Sequence, residues 1–202
     1  MVGSTLNWNV EAVAKGPGQL WAGLAIPATG QKLNLDDDGT PDAGENPNAI
    51  HLGMTTEGSQ FLVRPTIQDF FADEFDDPIL SAQTATEMAI SGNLLQVVDM
   101  ELMELLTIAG TRADGAGYEM ITYGGKSIIE YTSVAVIFPL TNQTGLYGVF
   151  HLYKALNDQG LAVDISKKKL GATPFAFKGK AITSRAAGDT TGAYWKQTSV
   201  GS

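Results

Sequence analysis

The stretch Asn34-x-Asp36-x-Asp38-Gly39-x-x-Asp42-x-x-Glu45 has residue types and spacing suited to a definite chemical task. Side-chain oxygens at the first, third and fifth places, glycine at the sixth and glutamate at the twelfth follow the order in which a calcium loop offers hard ligands to a cation. Three features depart from that order. The first ligand is Asn, Pro41 fills the eighth place where an apolar strand residue belongs, and neither flank reads as a helix. Asp-Gly turns also arise freely in acidic loops, so Asn34, Asp36, Asp38, Asp42 and Glu45 form a weak metal candidate beside a preferred metal-free reading.

Other chemistry is sparse. The chain has two histidines, His51 and His151, and neither sits in a nucleophile or zinc motif. No Gly-x-Ser-x-Gly elbow is present, and no phosphate-binding glycine pattern precedes a helical stretch. Asp69, Asp73, Glu74, Asp76 and Asp77 make a second acidic cluster, read as solvated or interfacial rather than as a catalytic carboxylate pair. No residue recommends itself for catalysis, and no cofactor is expected. Zero cysteines remove disulfides and thiolate chemistry, which leaves burial or oligomerisation to supply stability.

Charge is divided along the chain more sharply than its net value of −9 suggests. Residues 1–110 hold sixteen acids against three bases, and residues 111–202 hold six against ten. An acidic total argues against wrapping nucleic acid, and Lys167-Lys168-Lys169 is the only basic run. Those lysines read most simply as solvated strand-end gatekeepers. Opposite halves on one subunit also suit head-to-tail association with copies of itself. No apolar run approaches the ~18 residues needed to span a bilayer, and residues 1–13 lack the basic flank and apolar centre of a signal peptide; membrane insertion and secretion are not expected.

The elements that would position these residues read as strands. With 202 residues and 44% hydrophobic content the chain can build one substantial core. Residues 1–17 form an N-terminal arm ended by Gly16-Pro17-Gly18, residues 18–185 a β domain, and residues 186–202 a C-terminal tail. Leu20–Ile26 and Ser59–Thr66 are strands flanking a long turn-rich loop over 27–58, expected to project and to be mobile in the isolated subunit. Thr84–Ile90 alternates as a half-buried strand closed by Gly92. Asp99 can cap the one helix, whose stripe runs Val98, Leu102, Leu105, Leu106 and Ala109 before Gly110. Tyr118–Tyr123, Ile128–Leu140, Leu146–Leu156, Ala162–Lys168 and Phe175–Ser184 follow as strands. Leu146–Leu156 fits a helical stripe as well, and Asn157-Asp158-Gln159-Gly160 would turn it into a hairpin with the next strand. The fold class expected is mainly β, an antiparallel two-sheet sandwich or distorted barrel with one flanking helix and a long projecting hairpin loop.

In order and character, much of the chain from Gly16 to Lys196 resembles the major tail tube proteins of tailed bacteriophages. The resemblance rests on Gly18-Gln-Leu-Trp21, the acidic Asp-Gly-Thr-Pro-Asp loop, Leu52-Gly-Met-Thr-Thr-Glu-Gly-Ser-Gln-Phe61, Glu87-Met-Ala-Ile-Ser91 and Thr173-Pro-Phe-Ala-Phe-Lys178. It implies a structural virion protein forming hexameric rings that stack into the tail tube through which the genome passes, assembled in the host bacterial cytoplasm. Its partners would be its own copies within and between rings, the terminator, tape-measure and tip or baseplate proteins of the tail, and DNA only as passing cargo. The long loop and the N-terminal arm would make the contacts between copies. Leu33, Leu35, Asp36, Asp37, Asp38, Asp42, Glu45 and Ile50, with Lys167, Lys168 and Lys169, are the interface residues expected. The alternatives are a calcium- or carbohydrate-binding β-sandwich module, and a tail terminator or head–tail joining protein that forms one ring without stacking.

Overall fold

A computed structural model of the chain describes residues 18–53, 55–71, 77–95, 100–107, 110–124, 129–140, 145–160, 162 and 172–198. The N-terminal arm, Asp73, Glu74, Asp76, the capping Asp99, Lys167–Lys169 and nearly all of the expected strand at 162–168 lie outside them. The elements are β1 (Gln19–Ala22), β2 (Ile50–His51), β3 (Thr55–Phe70), β4 (Leu80–Leu94), α1 (Met100–Thr107), β5 (Gly110–Gly115), β6 (Tyr118–Tyr123), β7 (Thr132–Pro139), β8 (Leu146–Asn157), β9 (Thr173–Gly179) and β10 (Gly192–Thr198).

The protein is mainly β and antiparallel, with one flanking helix. Seven strands run in the order β2-β1-β7-β8-β9-β4-β3, and β10 adds to β8. The fold turns over at β8. Its first part pairs β7 on one edge and β10 on the other, while Ala155–Asn157 at its end pair β9. The two halves of the sheet therefore face each other, and the residues between them form the main core. Leu20, Ala22, Val134, Val136 and Leu152 come from one half, and Ile90, Leu94, Phe175 and Phe177 from the other. Leu102 and Leu106 of α1 close this core at one end, as their four-residue spacing requires.

Strand β7 explains why the outer face of its half-sheet is also covered. Ser133 to Ile137 are all buried, so both faces of the strand need apolar neighbours. Val134 and Val136 point into the main core, and Ala135 and Ile137 point the opposite way, into a second cluster with Val149, Leu24, Leu33 and Leu35. The last three belong to the segment between β1 and β2. That segment is long, as its turn-rich composition predicts, but Leu33 and Leu35 are buried inside the subunit and the loop lies down on the sheet.

Leu146–Asn157 is a strand, as expected, and the helical alternative falls because the segment pairs along its edges with β7, β10 and β9. Two further expectations change. Gly92 does not close β4. It sits inside the strand opposite Phe175, whose ring approaches to 3.0 Å of where a Cβ would be, so glycine is there for a close packing contact. The segment read as a tail contributes β10, with Ala193, Trp195 and Gln197 facing one way and Tyr194 and Lys196 the other.

Candidate assembly surface

The acidic loop is folded on itself and pinned. Asp42 N donates to Asn34 O (3.0 Å), Asp36 N to Thr40 O (2.8 Å), and Leu35 bridges Pro41, which makes a small hairpin of residues 34–42. Gly39, at φ +81°, rests its backbone on the Tyr147 ring. A Cβ there would overlap that ring. Three of the carboxylates are already engaged within the loop. Asp38 Oδ1 accepts from Thr40 N and Oγ1, which holds its carboxyl below the ordinary range, and Asp42 Oδ1 accepts from Gly44 N and Glu45 N. Asn34 Nδ2 donates to Glu45 Oε1 (2.8 Å), so the first and twelfth places of the calcium pattern bond to each other. Among the described residues no group of three or more His, Asp and Glu side chains is placed to hold a metal ion.

The expected interface residues thus divide. Asp36, Asp37, Asp38 and Glu45 are exposed, and Asp42 partly so, on the outside of the loop. Leu33 and Leu35 are withdrawn into the subunit and offer no surface to a neighbour, while Ile50 packs against the main core and stays partly exposed.

The element that does project is the β3–β4 hairpin. Strand β9 pairs β4 only from Ala89 to Leu94. Leu80–Met88 and their partners on β3 run on beyond it as a two-stranded ribbon, about 30 Å at ~3.3 Å per residue. Cross-strand register places Ile90/Phe61, Met88/Val63 and Thr86/Pro65 on one face. This face starts in the core, where the Phe61 ring stacks on Phe150 at 4.0 Å and Phe150 stacks on Tyr194 at 4.3 Å. It emerges into solvent at Val63 and Ile67, 50% and 61% exposed. Near the end, Phe70 and Leu80 stand opposite each other on the other face, and both are exposed, as are Phe71 and Ile79.

An isolated two-stranded hairpin is marginal in water, and this one carries large apolar side chains into solvent on both faces. The expectation for this region was a strand ending at Thr66 before a solvated acidic cluster. Alternation in Phe61-Leu62-Val63-Arg64 marks the strand, and Phe70, Phe71, Ile79 and Leu80, bracketing the acidic residues, are the signal that it continues. A second small ribbon, β5–β6, stands on α1 with Tyr118, Met120 and Tyr123 exposed. Its glycine-rich strand is held by rings across the pair, Tyr118 over Gly115 and Tyr123 beside Gly110.

Neither histidine faces this surface. His51 lies against Trp21 with the rings tilted and centroids 4.8 Å apart, and His151 is fully buried on the outer side of β8. The sequence matches no protein-family model and none of the curated proteins compared with it.

Proposed function

We propose that this chain is a structural protein that assembles with copies of itself into rings, and that the rings stack into the tube of a bacteriophage tail. The observation that carries this reading is the β3–β4 arm, a ribbon whose edges beyond Ala89 find no strand partner among the described residues and whose two faces both carry apolar side chains. Such a ribbon gains backbone hydrogen bonds and about 1 kcal/mol per half-exposed apolar side chain when a neighbouring subunit covers it. The order of sequence features shared with tail tube proteins supports the same reading, and so does a net charge of −9, which keeps a DNA conduit from gripping its cargo. In this reading the arm, rather than the acidic loop, reaches the neighbour.

Electron microscopy of the purified protein tests it. Stacked rings or tubes are expected from the wild type. The double change Val63→Asp and Ile67→Asp should leave a folded, monomeric sandwich with unaltered near-UV circular dichroism. Rings that never stack would move the chain to the end of the tail, and a wild-type monomer at high concentration would end the assembly reading.

A further inference from the structure

The outer face of the β7–β8–β10 half-sheet hides a histidine that has nothing to bond with among the described residues. Rows of paired residues across that face run Trp21–Ala135–His151–Ala193 and Gln19–Ile137–Val149–Trp195. His151 sits at the centre of this lattice with no solvent exposure, edge-on to the rings of Tyr153 (5.2 Å) and Trp195 (6.0 Å). Among the described residues neither ring nitrogen has a hydrogen-bond partner, and the same holds for two other buried atoms of this face, Trp195 Nε1 and Gln197 Oε1.

Two segments cover the face. One is the 24–49 loop, held by Leu24, Leu33 and Leu35 and by a buried hydrogen bond from Gln197 Nε2 to Leu33 O. The other is the 180–190 turn, where Arg185 lies over the Tyr153 ring, pairs with Asp189 and donates to Pro27 O at the root of the loop. The titratable and charged groups around His151 are Tyr153 on its own strand, Arg185 and Asp189 on the turn, and His51 beyond Trp21. The facing residues of β7 and β10, Ala135, Ala193 and Trp195, carry no charge.

We propose that His151 is an acid-operated release for this cover: taking up a proton on its enclosed ring frees the 24–49 segment from the outer face while the sandwich beneath stays folded. An imidazolium in this position would be desolvated, without an acceptor, and near Arg185, so the closed cover tolerates only the neutral ring. Opening hydrates His151 together with the other unsatisfied atoms. The main core lies on the other side of the sheet and is not disturbed. This device stands independently of the assembly reading.

Burial, with Arg185 second, lowers His151 from its ordinary 6.5 to about 4 while the cover is closed. The closed form is therefore fully favoured above pH 6.5 and loses ground as pH falls, the loss being complete only below pH 4. The opening constant should rise about 30-fold by pH 5 and about 150-fold by pH 4.

Hydrogen exchange on the whole chain, corrected for intrinsic rates, reads this directly. Amides of Asp36, Gly39, Asp42 and Asn46, all bonded within the cover, should lose about 30-fold in protection between pH 7.5 and 5. Amides of Val136 and Leu152 should not, and neither should the cover amides of His151→Phe or, if that variant does not fold, His151→Gln. An unchanged cover in the wild type, an equal loss in β7 and β8, or the same loss in a folded variant would each overturn the proposal.

Discussion

Phe61 of β3 lies nearly parallel on Phe150 of β8, ring planes 17° apart, and this stack joins the root of the projecting arm to the opposite half of the sheet. Phe150 in turn touches Phe138 and Tyr194, so the arm is anchored in a four-ring cluster before it leaves the body. Phe61→Ala removes one member from a partly buried site and should cost about 2–3 kcal/mol in urea denaturation. Phe61→Leu, which keeps apolar volume but not stacking, should lose less than half of that. Because the anchor is at the root, limited proteolysis of Phe61→Ala should cut in the arm first; equal cutting in both proteins would show that the pairing of β3 with β4 alone holds it.

The seat of the acidic loop on Tyr147 makes glycine at 39 necessary twice, for a positive φ and for close approach. Gly30 has a positive φ of 76° and open space around it, so it isolates the first requirement. Gly30→Ala should lower stability by about 1 kcal/mol from backbone strain alone. Gly39→Ala adds overlap with the ring and should cost about 1–3 kcal/mol more. Equal thermal shifts for the two variants would mean the loop does not rest on Tyr147.

These contacts show what could be read from the chain and what could not. The apolar run Val134 to Ile137 and the Leu102/Leu106 spacing carry their burial in their own pattern, and the antiparallel class followed from many short strands set off by Gly and Pro turns. Leu33 and Leu35 did not, because two leucines in an acidic stretch acquire meaning only from Val149, Tyr147 and Gln197, more than 100 residues away in sequence. Strand β10 was missed for a related reason. Its alternation is short and flanked by Gly and Thr, and its partner β8 decides the matter. The candidate surface was half legible: the loop was expected to carry the contacts, whereas many of the exposed apolar residues lie on the β3–β4 strand pair.

One carboxylate oxygen each of Asp38, Asp42 and Glu45 is committed within the loop, to backbone N–H groups, to Thr40 Oγ1 and to Asn34, which bears on calcium. A cation at this place would have to break the Asn34–Glu45 contact and the turns closed by Asp38 and Asp42. Millimolar calcium should therefore leave the melting temperature within 1 °C of its value in chelator, the shift of a ligand that gains nothing on binding. A rise of several degrees, abolished by Glu45→Gln, would reinstate the calcium reading.

Arg185 and Arg112 provide a paired comparison of ion pairs in two settings. Arg112 meets Asp114 and Glu119 on the exposed β5–β6 ribbon, with the acids 64% and 51% exposed, and such pairs contribute about 0–1 kcal/mol. Arg185 is mostly buried and uses its whole fork: Nη2 pairs with Asp189 at 2.6 Å, Nε donates to Asp189 O at 2.9 Å, Nη1 donates to Pro27 O at 2.7 Å, and the plane covers Tyr153. Burial works to raise the Asp189 carboxyl, and its bonds from Tyr153 and Arg185 outweigh that and hold it below the ordinary range. Burial, helped by the Asp189 bond, pushes the Tyr153 phenol up to about 12. Arg185→Met would leave this carboxylate without its cation and should cost about 2–4 kcal/mol, little changed by 0.5 M salt. Arg185→Lys should recover less than half of the loss, since an ammonium cannot span Asp189 and Pro27 in one plane. Arg112→Ala should stay within about 0.5 kcal/mol of wild type. If Arg185→Lys were neutral, charge alone would be holding the turn, and the fork geometry would have no part in fastening it to the root of the loop.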